Sequence, residues 1–155
     1  MEERFKTFTV LISGINRCIR RIKTEEMAEF NLKSPHVSCL YYLYKANSLT
    51  AKELCDICEE DKANISRSIK YLEENDYLTC KSQTPKRYQS PLVLTDKGRE
   101  VGGIVAKKID AILEDASDGL SEDERIILYR SLALIHENLR KICANYNSDD
   151  DSERN

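Results

Sequence analysis

TAKELCDICEEDKANISRSIKYLEENDYLTCKSQTPKRYQSPLVLTDKG, residues 50–98, is the stretch whose reading decides the fold. Thr50-Ala51-Lys52-Glu53 has the form of a capping box, in which the Thr50 hydroxyl takes the third helical amide and Glu53 reaches back to the cap. The helix it opens runs only to about Cys58, because Glu59-Glu60-Asp61 reads as a turn. Asp61 caps a second helix with Ile65, Ile69 and Leu72 on its buried face, closed by Glu74-Asn75-Asp76. Two helices joined by a short turn make a helix-turn-helix candidate, though any helical bundle contains such pairs. The segment that follows carries more weight. Tyr77-Leu78-Thr79-Cys80-Lys81 and Leu92-Val93-Leu94-Thr95 are the only strand-like runs in the sequence. Between them, residues 82–91 hold two prolines, Lys86, Arg87 and no apolar side chain except Tyr88. A structural hairpin has no need of a basic tip, whereas a wing that touches a phosphate backbone does.

Working outward, Phe8, Ile12, Ile15, Ile19 and Ile22 recur at helical spacing and form the seam of a first helix. Lys33-Ser34-Pro35 breaks the chain, with Ser34 as N-cap and Pro35 at the first helical position of a second helix. That helix carries Val37, Leu40, Tyr41 and Tyr44 on one face. Downstream, Asp96-Lys97-Gly98 opens a long helix bearing Val101, Ile104, Val105, Ile109 and Ile112, and Asp118-Gly119 breaks it. Ser121-Glu122-Asp123-Glu124 is a second capping box. The last helix repeats Leu128, Leu132, Ile135, Leu139, Ile142 and Tyr146 in heptad fashion. A winged module of about 60 residues cannot bury both terminal seams, so they are expected to pair across a homodimer.

The composition fits this reading. The chain has 155 residues, 41% hydrophobic and 33% charged, with five Gly and three Pro, which favours a mainly helical globular domain over an all-β one. The longest apolar run, Cys39 to Tyr44, is far short of a membrane span, and the first residues are charged. No membrane association, no secretion and a cytoplasmic location are therefore expected. The six cysteines then read as free thiols. Cys55 and Cys58 form a C-x-x-C pair, but no second pair of Cys or His follows at ligand spacing, so no metal is expected. In helical register beside Leu54 they read as small core-filling side chains. Net charge is −3, yet residues 61–99 hold eight basic and five acidic side chains, a local balance of +3. Positive charge concentrated in one continuous third of the chain suits double-stranded DNA.

The element order, the Asp61-Lys62 helix start and the Leu94-Thr95-Asp96-Lys97-Gly98 exit from the hairpin resemble the MarR family, the multiple-antibiotic-resistance regulators. The resemblance covers about Phe8 to Tyr146. It implies a dimeric winged helix-turn-helix with long N- and C-terminal dimerisation helices, the helix from Asp61-Lys62 as recognition helix, and Arg87 entering the minor groove. The sequence departs from the family pattern at Lys86, where an acidic residue usually precedes that Arg. It departs again at Glu59, where the turn often carries Gly. The expected organisation is dimerisation helices at 1–33 and 118–147, the winged module at 34–99, a connecting helix at 100–117 and a disordered acidic tail at 148–155.

Candidate DNA contacts are Thr50, Lys62, Ala63, Asn64, Ser66, Arg67, Lys70, Lys81, Lys86 and Arg87. Arg67 offers a bidentate pair to guanine and Asn64 to adenine, while Ala63 and Ser66 are small enough for close approach to the groove. Lys97 is expected to join the phosphate contacts. Family members often bind anionic aromatic effectors in a cleft beside the DNA-binding module, and Arg17, Arg21, His36 and Tyr41 are candidates for such a site. The function expected is a ligand-responsive repressor without cofactor. An enzyme finds no support, since no nucleophile motif, phosphate loop or carboxylate pair near a His is present. Two alternatives remain: a cysteine-based redox sensor, with Cys18 as its thiol, and a helical interaction protein that has lost DNA binding.

Overall fold

The computed structural model describes residue 3, residues 6–80 and residues 89–152, with side chains as far as residue 146. The chain divides into two compact units, residues 1–112 and 113–155. In the first, a π-helical stretch Lys6–Leu11 runs into α1 (Ile12–Glu26), and a 3-10 turn at Ala28–Phe30 leads to α2 (Ser34–Ala46). Then come β1 (Ser48–Leu49), α3 (Ala51–Cys58), α4 (Lys62–Glu74), β2 (Leu78–Cys80), β3 (Leu92–Leu94) and α5 (Asp96–Ala116). The second unit takes in the last residues of α5 and α6 (Glu122–Ser152). The class is mainly helical with a winged helix-turn-helix, as the sequence implies.

Both helices of the pair start as the sequence dictates. The Thr50 hydroxyl accepts from the Glu53 amide at 3.2 Å, and the Thr50 amide donates to the Glu53 carboxylate at 2.7 Å. These hydrogen bonds hold the exposed Glu53 carboxyl below its ordinary range. Asp61 Oδ1 accepts from the Asn64 amide at 2.7 Å. The turn between them bends at Glu59, which sits in the left-handed region at φ 52 and ψ 37. A side chain there costs about 1 kcal/mol that glycine avoids, so Glu59→Gly is expected to stabilise the unit by about that amount in urea denaturation. An unchanged or lowered midpoint would show that the Glu59 side chain offsets the backbone penalty.

The core is built from Val37, Cys39, Leu40 and Leu43 of α2, Leu54 of α3, Ile65, Ile69 and Leu72 of α4, Leu78, Leu92 and Leu94 of the strands, and Val101 and Val105 of α5. The α2 stripe is rotated from the expected one: Leu43 is buried, Tyr41 is half-buried and Tyr44 is exposed. Tyr44 lies instead along Gly102 and Gly103, whose missing side chains leave room for its ring. The cap of α2 is Lys33 rather than Ser34, and the Ser34 amide is taken by the Thr24 hydroxyl at 3.2 Å.

The sheet has three antiparallel strands in the order β1-β3-β2, not the two of a simple hairpin. Ser48 and Leu49 pair with Val93 and Leu92, and Leu78, Thr79 and Cys80 pair with Leu94, Val93 and Leu92. A two-residue strand shows no alternation, so nothing in the sequence marks β1. At the sheet's exit, Thr95 Oγ1 donates to the Asp76 carbonyl at 2.6 Å and accepts from the Gly98 amide at 3.0 Å. The Thr95 amide donates to the Tyr77 carbonyl at 3.1 Å. One threonine thus caps α5 and fixes it to the chain leaving α4.

In the second unit, Ser121 and Glu124 form the expected capping box, with the Ser121 amide and hydroxyl each 2.8 Å from the Glu124 carboxylate. Arg125 bridges Glu114 at 2.7 Å and Glu122 at 2.6 Å. The backbone of α6 is helical through Ser152, across the first residues of the acidic tail expected from residue 148. Extending an existing helix adds a hydrogen bond per residue without a new nucleus, which lets the polar residues continue it. Residues 153–155 lie outside the described residues. Leu128, Leu132, Leu139, Ile142 and Tyr146 of the α6 seam are exposed, as are Phe8, Ile12, Ile15 and Ile19 at the other terminus.

Candidate nucleic-acid interface

Helix α4 buries Ile65, Ser68, Ile69 and Leu72, and this sets the direction of everything else on it. Ala63, Ser66, Arg67 and Lys70 are exposed on the opposite side and form a ridge at helical spacing. Lys62 is exposed at the first turn. Grooves flank the ridge on both sides. One, of about 320 Å³, is lined by Lys62, Ser66, Ile69, Lys70 and Glu73 with Ala51 and Leu92 beyond. The other, of about 430 Å³, is lined by Asn64, Arg67, Ser68 and Tyr71, with Asn31 and Lys33 from the turn before α2 and Pro35 and His36 from its first turn. The candidate recognition residues are therefore sorted into two flanks of a single protruding helix.

Their partners differ in how free they leave each side chain. The Asn64 amide donates to the Glu60 carboxylate, so pairing with a base requires an exchange of partners. Lys70 lies 3.8 Å from Glu74 in an exposed pair that contributes little and yields readily to phosphate. Thr50 has its hydroxyl committed to its own cap, donating to Glu53 at 2.9 Å. Lys97, expected at the phosphates, donates to the Asn75 carbonyl at 2.7 Å and lies 4.3 Å over the Tyr77 ring, where it neutralises the end of α4. Lys81, Lys86 and Arg87 lie outside the described residues.

The structure also brings forward residues that the sequence reading omitted. Tyr71 stacks on His36 with ring centroids 4.1 Å apart and planes within 4°, and its hydroxyl donates to the Asn31 carbonyl at 2.7 Å. Together they clamp the start of α2 against α4 and place Lys33 on the same flank as Arg67. A tyrosine in helical register and a lysine before a proline carry no signal of this, because the hydrogen bond joins residues 40 apart in sequence.

The effector candidates do not converge on one cleft. His36 lines the second groove, and its Nδ1 accepts from the Lys33 amide at 3.1 Å. Burial lowers its pKa, with Lys33 adding to the effect, which favours the neutral, accepting form. Tyr41 instead donates to Asp110 at 3.3 Å, and Arg17 and Arg21 are exposed on α1. None of these three lines the His36 groove.

Comparison with known proteins gives this geometry its setting. Residues 30–87 match the family model described as MarR family, a span that contains α2, α3, α4 and β2. No curated protein matches the chain by sequence. Among solved structures, it is similar to one described as a MarR family transcriptional regulator from Listeria monocytogenes, complexed with a 26mer DNA. That likeness has 26% identity and a TM-score of 0.76, covering 83% of this chain and 85% of that one. MarR of Staphylococcus aureus in complex with salicylate and kanamycin is 23% identical over 90% of this chain and 95% of that one, with a TM-score of 0.75. A MarR transcriptional regulator of Methanosarcina mazei is 22% identical over 88% and 92%, also at 0.75. The winged module, the exposed ridge of its second helix and the sequence match over residues 30–87 agree: the chain has the fold of the MarR family of transcriptional regulators, and residues 30–87 match that family's model.

Proposed function

We propose that the chain acts as a homodimeric repressor, with α4 of each subunit in successive major grooves of a pseudo-palindromic operator. The observation that carries this is the α4 ridge of Ala63, Ser66, Arg67 and Lys70, solvent-facing and flanked by open grooves. Small side chains near the helix start let the backbone approach the base edges, and Arg67 and Lys70 supply the charge. Dimer formation is supported by the exposed seams of α1 and α6, since burying each Leu or Ile contributes about 1.5–3 kcal/mol. Half-sites are expected about one helical turn apart, roughly 10 bp. An anionic aromatic effector is the proposed signal, with Lys33, His36 and Arg67 in the groove beside α4 as its contacts. The listerial relative bound to DNA and the staphylococcal one bound to salicylate support the two halves of this reading.

Sedimentation and operator titration test it together. The chain is expected to sediment as a dimer at low micromolar concentration and to lose affinity when either half-site is scrambled. Affinity should fall steeply with salt, because each neutralised phosphate adds about −0.9 to the log–log slope. A folded monomer, indifference to one scrambled half-site or a flat salt response would each contradict the proposal.

A further inference from the structure

Between the 3-10 turn and α2, the link of residues 31–34 is pinned at each residue. Asn31 takes the left-handed conformation at φ 55, and its carbonyl accepts from the Tyr71 hydroxyl at 2.7 Å. Leu32 is fully buried in the core. The Lys33 amide donates to His36 Nδ1 at 3.1 Å, and the Ser34 amide to the Thr24 hydroxyl at 3.2 Å. The His36 ring in turn lies flat on Tyr71 of α4. The Lys33 side chain is exposed, carried on this fixed backbone at the groove that also holds Arg67. A protonated lysine has no acceptor to offer the α2 amides, so the helix start itself gives no reason for a cation here. No carboxylate lines this groove, and Lys62 and Lys70 line the one on the other side of the ridge. Cations therefore stand on both flanks of α4, and a helix lying in a major groove has a phosphate strand on each side.

We propose that the DNA-contacting surface extends from α4 to the start of α2, where Lys33 takes a backbone phosphate on the strand beside the base edges that Arg67 reads. His36 and Tyr71 are its positioning residues. Their stack joins the Lys33 amide to the recognition helix, so the ammonium and the Arg67 guanidinium keep one spacing as α4 enters the groove. A cation on a fixed link loses less freedom on binding than one on a loose tail, and a phosphate contact sets register without reading sequence. The same charges would suit an effector carboxylate in this groove, but a change in the salt dependence of DNA binding belongs to the phosphate alone. The assignment rests on the DNA-binding reading above.

The test is a titration of the full chain, at several salt concentrations, against an operator fragment selected from genomic DNA and against its scrambled version. Lys33→Gln is expected to weaken both DNAs by the same factor, about three- to tenfold, and to make the log–log salt slope shallower by about 0.9 per subunit. Lys33→Arg should restore the slope. His36→Gln leaves an acceptor for the Lys33 amide but removes the ring from Tyr71, and Tyr71→Phe keeps the ring but loses the Asn31 bond. Each is expected to weaken binding by about two- to fivefold alone and to add little on top of Lys33→Gln, a coupling that a merely structural role would not show. Full affinity and an unchanged slope in Lys33→Gln would overturn the phosphate contact. Additive losses in the double variants would remove His36 and Tyr71 from positioning it. A wild-type chain that binds neither DNA at low salt would defeat the function proposed above and this assignment with it, whereas a loss-free Lys33→Gln beside a binding wild type defeats this assignment alone.

Discussion

Gly98→Ala is expected to destabilise the first unit by about 3 kcal/mol or more. A Cβ at Gly98 would stand 1.8 Å from the Tyr77 carbonyl oxygen and 3.3 Å from Leu94 Cβ. The first obstacle is backbone, so no rotamer change relieves it. The Tyr77 carbonyl is also held, since it accepts from the Thr95 amide. The first turn of α5 would have to leave the sheet, taking with it the Thr95 bond to Asp76 and the Lys97 bond to Asn75. Gly103→Ala is the matched control. A Cβ there meets only Tyr44 side-chain atoms at 3.4–3.5 Å, and alanine gains up to about 1 kcal/mol of helix propensity. Urea denaturation of both variants should separate them by several kcal/mol. Equal midpoints would mean that α5 does not pass against the Tyr77 carbonyl.

Arg67→Ala is expected to cost about 1–3 kcal/mol of operator affinity and to relax preference at one base pair per half-site. Arg67 is exposed on the α4 ridge, where its guanidinium can present two parallel donors to one guanine. Lys70→Ala, one turn further on, should weaken matched and scrambled DNA alike and lower the salt slope, because an ammonium meets phosphate as a point charge. Titration of both variants against matched and scrambled operators distinguishes them. Equal losses of Arg67→Ala on both DNAs would place Arg67 at the phosphates and leave base reading to other residues.

What the sequence revealed about this protein is local, and what it concealed is not. Thr50, Asp61 and Ser121 each announce a helix start, because a cap and its target amide lie within three residues. Glu59-Glu60-Asp61 announces a turn, and the left-handed Glu59 follows from packing two helices around so short a link. The α4 ridge follows from Ile65, Ile69 and Leu72, since fixing one face of a helix fixes the opposite one. The strand Ser48–Leu49 is too short for a periodicity. The clamp of His36 and Tyr71 joins side chains on different helices, and no spacing rule reaches across a fold. Lys97 shows the same limit from the other side: its charge is plain in the sequence, but its partner, the Asn75 carbonyl, is a backbone atom that appears only once α4 has ended beside it.

The exposed faces of α6 carry a consequence for the cell rather than for the fold. Ile126, Ile127, Leu128, Tyr129, Leu132 and Leu134 crowd more apolar surface onto this helix than one seam requires. If these side chains pair with a second copy as proposed, α6 takes part of its stability from mass action, and the thermal midpoint would climb with protein concentration. Copy number would then set two quantities at once, the amount of regulator and the fraction of it that is properly assembled. Occupancy of a target site would respond to synthesis more steeply than in proportion, so a modest change in expression would act as a threshold.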